Sequence, residues 1–353
     1  MRAQEVGVSR VEQIGRATLY LGDCRDILPT LPKVDAVVTD PPYFKVKGDY
    51  WDNEWDEPAH FLDWMRDAVG RLSERLNMNG SLYLFASPQM AARVECVVRE
   101  RMNVLANITW NKGARRKGAA GSGVDVTSLR TFWQASSERI IFAEPFGSDA
   151  AADGEAGYTS ACEATKRGIF GAYLASEFER AGVARKQVAG LFPSASGGLT
   201  GCVSNWLIGY NCPTAEQYEK MRELLGDGFL RREYEDLRRE YEDLRRPFKL
   251  DDKLQWGDVW DFDPPPPTFG KHPCEKPLAL LKHILIVSTK PDALVLDAFM
   301  GSGTTGDAAL QLGRNFIGIE RDPHWFDIAC KRIEQAQRQG DFFVDAAACR
   351  RGG

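Results

Sequence analysis

"ALVLDAFMGSGTTGDAALQLGRNFIGIE" occupies residues 293–320. Residues 293–299 read as an apolar strand, 300–313 as a glycine loop entering a helix that Gly313 stops, and 315–320 as the next strand. Gly301, Gly303 and Gly306 fit the G-x-G-x-x-G spacing, and Glu320 ends the following strand. Such glycines let backbone and ligand approach closely, and an acid at that distance accepts from ribose hydroxyls. The stretch predicts an adenosine-containing cofactor on an open α/β sheet; the alternative is a tight turn that merely needs small residues. A nicotinamide enzyme usually carries this motif early, with a hydride-handling site elsewhere. Here it lies late and no hydride partner is evident. S-adenosylmethionine needs the same loop and acid, plus acceptors for its methionine amine. Asp297, just before the loop, is placed for that role, or else caps the loop.

A second stretch faces the same chemistry. "VDAVVTDPPYF" (34–44) is a valine-rich run, as in a buried parallel strand, ending in an acid, two prolines and two aromatics. Open α/β sheets place ligands at the C-terminal ends of such strands, where Asp40 falls. The Asp40 carboxylate and Pro41 carbonyl offer two acceptors for the hydrogens of an exocyclic amino group. That grip exposes the nitrogen lone pair to an electrophilic methyl group. Pro41 and Pro42 stiffen the segment, and Tyr43 stacks on the base. A base in a duplex must flip out to reach such a pocket. For D-P-P-Y alone, a proline turn is the alternative.

The 353 residues suffice for one large domain with an insert. With 43% hydrophobic and 27% charged residues, the composition is that of a soluble globular protein. The polar start predicts no secretory signal, and no apolar run is long enough for a membrane span. Eight cysteines without CxxC pairs predict reduced thiols in a cytosol, and the four histidines show no metal spacing, so no metal is expected. A net charge of −5 confines nucleic-acid binding to local basic patches.

Strand–helix alternation recurs at both ends of the chain. Strands are predicted at 17–22, 81–86, 104–110 and 137–144, with a helix from Pro58 that Asn79-Gly80 stops and another over 324–337. The fold class is α/β, a doubly wound, mostly parallel sheet assembled from two sequence halves, with a mainly helical insert. The halves are assigned to 17–145 and 256–340, and the insert to 146–255. "LRREYED" repeats in tandem (230–243), giving Leu230, Leu237 and Leu244 on one face. A bent-back helical hairpin and a short dimer contact are the two readings.

"DPPY" with "DAFMGSGTT" resembles the S-adenosylmethionine-dependent amino-methyltransferases of DNA, in the permuted β-class order with the catalytic motif first. "GKHPCEKP" (270–277) resembles that family's H-P-x-x-K-P element, and "LGDCRD" (21–26) its adenine-contacting segment. The resemblance spans about 17–145 and 256–335 and implies a Rossmann-like methyltransferase sheet. It implies Asp40, Pro41, Pro42 and Tyr43 as catalytic residues. As cofactor residues it implies Asp23, Cys24, Asp40, His272, Lys276, Pro277, Asp297, Phe299, Gly301, Ser302, Gly303, Thr304, Thr305, Glu320 and Arg321. "DPPYF", "GSLYLFASPQ" and "ERIIFAE" are most similar to the solitary, often prophage-borne, adenine enzymes, so the implied target is N6 of adenine in double-stranded DNA. It further implies a homodimer in a bacterial cytoplasm. N4-cytosine methylation, an RNA or protein substrate, and a catalytically dead DNA-binding regulator are the rivals.

Within the insert, 177–192 followed by 203–224 resembles a repressor-type helix-turn-helix, stretched at "PSASGGLTGC"; a helical packing insert is the alternative. Ser204 and Asn205 then approach base edges. Lys45, Lys47, Lys112, Arg115, Arg116 and Lys117 are the candidate phosphate contacts. Trp51 and Trp55 either cover the flipped base or pin the loop, and Trp110 is read as core or pocket wall.

Overall fold

The computed structural model describes residues 7–46, 52–113, 136–146, 166–244, 246–251, 254–266 and 274–349. The chain divides into two compact units, Met1–Pro145 with Pro247–Gly353, and Phe146–Arg246.

The first unit is built on nine strands: β1 (Val8–Ile14), β2 (Ala17–Gly22), β3 (Val34–Thr39), β4 (Leu76–Ala86), β5 (Met102–Asn111), β6 (Ser137–Pro145), β7 (Val259–Asp261), β8 (Leu294–Asp297) and β9 (Asn315–Glu320). They form one sheet in the order β1-β2-β9-β8-β3-β4-β6-β5-β7. The run from β2 to β4 is parallel throughout, whereas β1 and β6 run antiparallel to their neighbours. β3 and β8 are adjacent, with Ala36 opposite Val295 and Val37 opposite Leu296. From β3 the chain winds outward to β4, and from β8 it winds the other way to β9. The two sequence halves thus meet at the switch point of the sheet, where such folds bind ligands.

Alternate strand residues explain the two covered faces. Val37, Leu82 and Leu84 pack with Phe61, Met65 and Val69 of α2 (Pro58–Arg75) and Val94 and Val98 of α3 (Ala91–Arg99), behind the short α1 (Cys24–Ile27). Their neighbours Val38, Tyr83 and Phe85 share a core with the other helices of this unit, introduced below from the site they carry.

Several elements differ from the sequence reading. The edge strands β1 and β7 had no periodic signal, because an edge strand needs only one partner. α2 ends at Arg75, and β4 begins at Leu76 rather than after Asn79-Gly80. Asn79-Gly80 instead lies where the β3–β4 register slips, between the pairs Val34–Leu76 and Ala36–Ser81.

The second unit is helical. A π-helical turn (Arg167–Gly171) precedes α4 (Ala172–Arg180), α5 (Arg185–Ala189), α6 (Cys202–Ile208), α7 (Ala215–Leu225) and α8 (Tyr234–Leu244). Its own core holds Phe170, Leu174, Phe178, Trp206, Tyr218 and Met221. Leu230 and Leu237 are fully buried in this core, so the tandem repeat bends back onto its own unit. Leu230 makes the bend at φ 45°, with its N–H held by the buried Glu177 carboxylate at 2.6 Å.

Cys24, Cys96, Cys202, Cys212, Cys274 and Cys330 are free thiols. Among the described residues no helix is long and apolar enough to cross a membrane, and no His, Cys, Asp or Glu cluster is arranged to hold a metal.

Candidate active site

β8 ends at Asp297 and the glycine loop carries the chain into α10 (Thr304–Gln311). Gly301 and Gly303 have φ of 50° and 82°, the left-handed region that glycine enters without a Cβ penalty. α10 lies with α9 (Leu278–Ser288) and α11 (Pro323–Cys349), whose Ile284, Ala308, Ala309, Phe326 and Ile333 fill the second face of the sheet. A Cβ on Gly303 would stand 3.0 Å from that of Ala329, so this glycine serves the close helix approach as well as the turn.

Asp40 leaves β3 beside this loop. The strand ends are tied together: Thr39 Oγ1 donates to Asp297 Oδ1 at 2.7 Å, and Thr305 Oγ1 donates to Asp297 Oδ2 at 2.7 Å. The Phe299 N–H adds a third bond at 3.1 Å. Asp297 therefore caps the loop while lining the cleft, and burial pushes its carboxyl up to about 6 against these bonds. Glu320 accepts the Gly301 N–H at 2.9 Å and the Asp322 N–H at 2.8 Å. Burial raises its pKa too. Asp297 Oδ1 accepts two of these bonds, while Oδ2 accepts one and keeps a lone pair for a ligand hydroxyl or amine.

One cleft brings together Asp40, Pro41, Pro42, Tyr43, Lys276, Asp297, Phe299, Gly301, Ser302, Thr304, Thr305, Glu320 and Arg321. Asp23 and Cys24 line a smaller adjoining cavity that shares Phe299, Glu320 and Arg321. Asp23 caps α1, accepting the Arg25 N–H at 2.8 Å and its guanidinium at 2.7 Å, which lowers its pKa; burial pushes the Cys24 thiol up to about 12. Gly303 and Pro277 do not line the cleft and are the N-cap residues of α10 and α9. His272, Lys47, Trp51, Arg115, Arg116 and Lys117 lie outside the described residues.

Lys276 lines this cleft and also reaches the Asp40 corner. Its ammonium pairs with Asp40 Oδ2 and lies 3.4 Å from Glu138 Oε2, over the rings of Tyr43 and Phe85 at 5.6 and 5.1 Å. Burial opposes its charge, but Asp40 and Glu138 together hold its pKa above the usual lysine value. Asp40 Oδ1 is buried and has no hydrogen-bond partner among the described residues. Burial pushes the Asp40 pKa up, and Lys276 offsets only part of that rise.

Glu138 is one site residue that sequence reading missed. It accepts from the Tyr43 hydroxyl at 3.0 Å and pairs with Lys112. Burial works against its charge, but Lys276 and Lys112 prevail and hold its pKa below the ordinary glutamate value. Its signals were its place at the start of a strand and at the head of "ERIIFAE". β6 runs antiparallel to β4, so its beginning, with Arg139 opposite Ala86, falls at the C-terminal edge of the parallel strands. Glu275 and Arg332 were missed as well. Arg332 donates to Glu275 at 2.9 Å, to Ser302 at 3.2 Å and to Thr304, bracing the glycine loop from α11.

Two expected phosphate contacts are turned to other partners. Lys112 faces Glu138, and the Lys45 amine bonds the Asp56 carbonyl at 2.7 Å. Trp55 is buried against Phe61 and Trp64, so it pins the loop. Trp110 is core, its N–H on the Phe262 carbonyl at 2.7 Å.

A mostly parallel sheet whose switch point holds a glycine loop, two buried acids and an acid–proline–proline–tyrosine corner is a Rossmann-like α/β fold with its ligand cleft at the switch point. The chain belongs to the DNA methylase family that spans N6 and N4 enzymes, whose profile matches residues 34–331. It is similar to the Type II methyltransferase M2.MboI of Moraxella bovis, 42% identical over 90 residues, which are 25% of this chain and 33% of that protein. Similarity to M2.DpnII of Streptococcus pneumoniae is 45% over 89 residues, 24% of this chain and 33% of the relative. The match thus spans about a third of the length of each relative. Among solved structures, the PvuII DNA methyltransferase (cytosine-N4-specific) shares the fold with a TM-score of 0.51 at 12% identity, over 96% of each chain.

Proposed function

We propose that this chain transfers the methyl group of S-adenosylmethionine to the N6 amino group of a flipped-out adenine in duplex DNA. The observation that carries this reading is Asp40: one carboxylate oxygen is fixed by Lys276, and the other is buried without a partner beside the glycine loop. An unsatisfied buried acceptor costs free energy until a donor arrives, and an exocyclic amine is such a donor.

The residues of the cleft suit the cofactor. Glu320 takes the ribose hydroxyls, Asp297 and the loop take the methionine end, and Asp23 and Phe299 flank the adenine. The cofactor supplies an electrophilic methyl group on its sulfonium. Asp40 Oδ1 and the Pro41 carbonyl accept the two amino hydrogens, which localises the nitrogen lone pair. Tyr43 stacks on the base, its ring fixed through its hydroxyl on Glu138. The nitrogen would gain the methyl group as the methyl–sulfur bond breaks and a neutral thioether leaves, and it would shed one proton. The raised pKa of Asp40 makes it a better acceptor of that proton than an exposed aspartate. Flipping costs a few kcal/mol, which stacking and the new hydrogen bonds offset. Site-specific modification in a bacterial cytoplasm, alone or beside a restriction enzyme, belongs to the same reading. So does a homodimer, which would pair through a surface other than Leu230 and Leu237.

The test is transfer of labelled methyl to unmethylated duplex DNA, followed by digestion to nucleosides. Label in N6-methyladenosine is expected, and its loss in Asp40→Ala ties it to this site. Label in N4-methylcytosine would keep the mechanism and overturn the base; label only on RNA or protein would overturn the substrate.

A further inference from the structure

Two residues after Tyr43 the main chain is strained. Lys45 stands at φ 49°, the left-handed region that a residue with a Cβ enters only at a cost. Such a conformation persists where its surroundings hold it, and it gathers at functional sites. Here the holder is the segment from Asp52 to Asp56. The Asp52 carboxylate accepts the Tyr43 N–H at 2.8 Å, and the Asp52 carbonyl accepts the Lys45 N–H at 2.8 Å. The Asp56 carbonyl accepts from the Lys45 ammonium at 2.7 Å. One aspartate thus grips the acid–proline–proline–tyrosine corner by side chain and main chain together. Asp52 is 3% exposed and lines the cleft, so water competes little for this grip.

The same segment reaches the other side of the cleft. Glu54 pairs with Arg321, 267 residues away, which directly follows the buried Glu320 at the end of β9. Arg321 lines both the cleft and the smaller cavity beside Asp23. Trp55 makes a second connection. Its ring lies 4.8 Å from that of Trp64 on α2, and the Trp64 ring lies 5.7 Å from that of Phe299. Phe299 is a wall of the cleft and of the cavity alike. Within four consecutive residues, the chain therefore touches the Tyr43 corner and is linked to the rim formed by Phe299 and Arg321.

We infer that Asp52 and Glu54 are positioning residues for methyl transfer: Asp52 sets the stance of Tyr43, and Glu54, through Arg321, ties that stance to an occupied cofactor site. The inference rests on the proposed reaction, with Tyr43 on the base and Arg321 beside the cofactor, and adds how the two ligands act on each other. A cofactor seated against Phe299 and Arg321 orders the groups on which Trp55 and Glu54 rest. The corner then has less to order when the base arrives, which is positive coupling. Such coupling is reciprocal, so duplex DNA tightens cofactor binding by the same factor.

The experiment uses the full chain. Calorimetry measures the Kd of S-adenosylhomocysteine alone and with a saturating duplex that the chain methylates. In the native chain the duplex should lower this Kd by about tenfold. In Glu54→Gln that factor should fall to about one. The melting curve should stay unchanged, because the pair is partly exposed, at 34% for Glu54 and 38% for Arg321. Steady-state kinetics test the corner. Asp52→Ala should lower kcat by about 100-fold with the Kd of S-adenosylhomocysteine alone unchanged. Asp52→Asn keeps an oxygen for the Tyr43 N–H and should recover most of the loss. A native factor near one, or a factor that survives Glu54→Gln, would overturn the tie to the cofactor site. Equal losses of kcat in both Asp52 variants would overturn the positioning of Tyr43. Either result leaves the proposed function intact, whereas a native chain that labels RNA or protein and no duplex DNA would overturn that function and the inference with it.

Discussion

The Tyr43 hydroxyl donates to Glu138 Oε2 at 3.0 Å, joining the Tyr43 ring to the start of β6. Because Glu138 also touches Lys276 and Lys112, it positions both the ring and the ammonium that holds Asp40. Glu138→Gln should lower kcat by about 100-fold, the scale of a misplaced reacting group, with a smaller change in KM. Glu138→Asp should recover part of the loss. Steady-state kinetics on duplex DNA decide, and equal losses of kcat in both variants would refute the positioning role.

Acid should silence the enzyme earlier than an ordinary aspartate would. The role proposed for Asp40 needs its carboxylate, and burial raises its pKa, so activity should fall as pH drops through a value above the usual aspartate range. Lys276 lowers the Asp40 pKa and Glu138 raises it. The acid limb of the kcat profile should therefore move to higher pH in Lys276→Met and to lower pH in Glu138→Gln. Two shifts of the same sign would contradict the arrangement.

Lys276→Met should also destabilise the fold. It leaves the Asp40 carboxylate buried and unpaired, a change that costs about 3–5 kcal/mol. Thermal unfolding should show the loss, and Asp40→Asn in the same chain should restore most of it by removing the orphaned charge.

Cofactor affinity should itself depend on pH. Burial places the Asp297 carboxyl at about 6, so protonation below that value removes the charge proposed to hold the methionine amine. Calorimetry should show the S-adenosylmethionine Kd rising as pH falls through that region, and Asp297→Asn should abolish the dependence.

Gly303→Ala and Arg332→Ala test the loop from two sides. At φ 82°, with a Cβ 3.0 Å from that of Ala329, an alanine at 303 should cost about 1–2 kcal/mol and lower Tm. Arg332→Ala removes bonds to Ser302, Thr304 and Glu275 and should weaken cofactor binding by about tenfold. Unchanged affinity would show that the loop needs no brace.

The sequence by itself determined the parts whose causes are local. A left-handed turn requires Gly301 and Gly303, a buried parallel strand requires the valines of 34–38, and a rigid corner requires Pro41 and Pro42. Each requirement is met within a few residues, so each leaves a readable pattern. Tertiary structure alone decided which charges meet. Glu138 stands 95 residues from Tyr43, and Lys276 stands 236 from Asp40; strand order and the antiparallel turn of β6 bring them together. Edge strands β1 and β7, the inward turn of Lys112 and the burial of Leu230 and Leu237 were likewise settled by partners distant in sequence. A lysine or glutamate carries no local mark of its partner, because pairing depends on where the sheet places it.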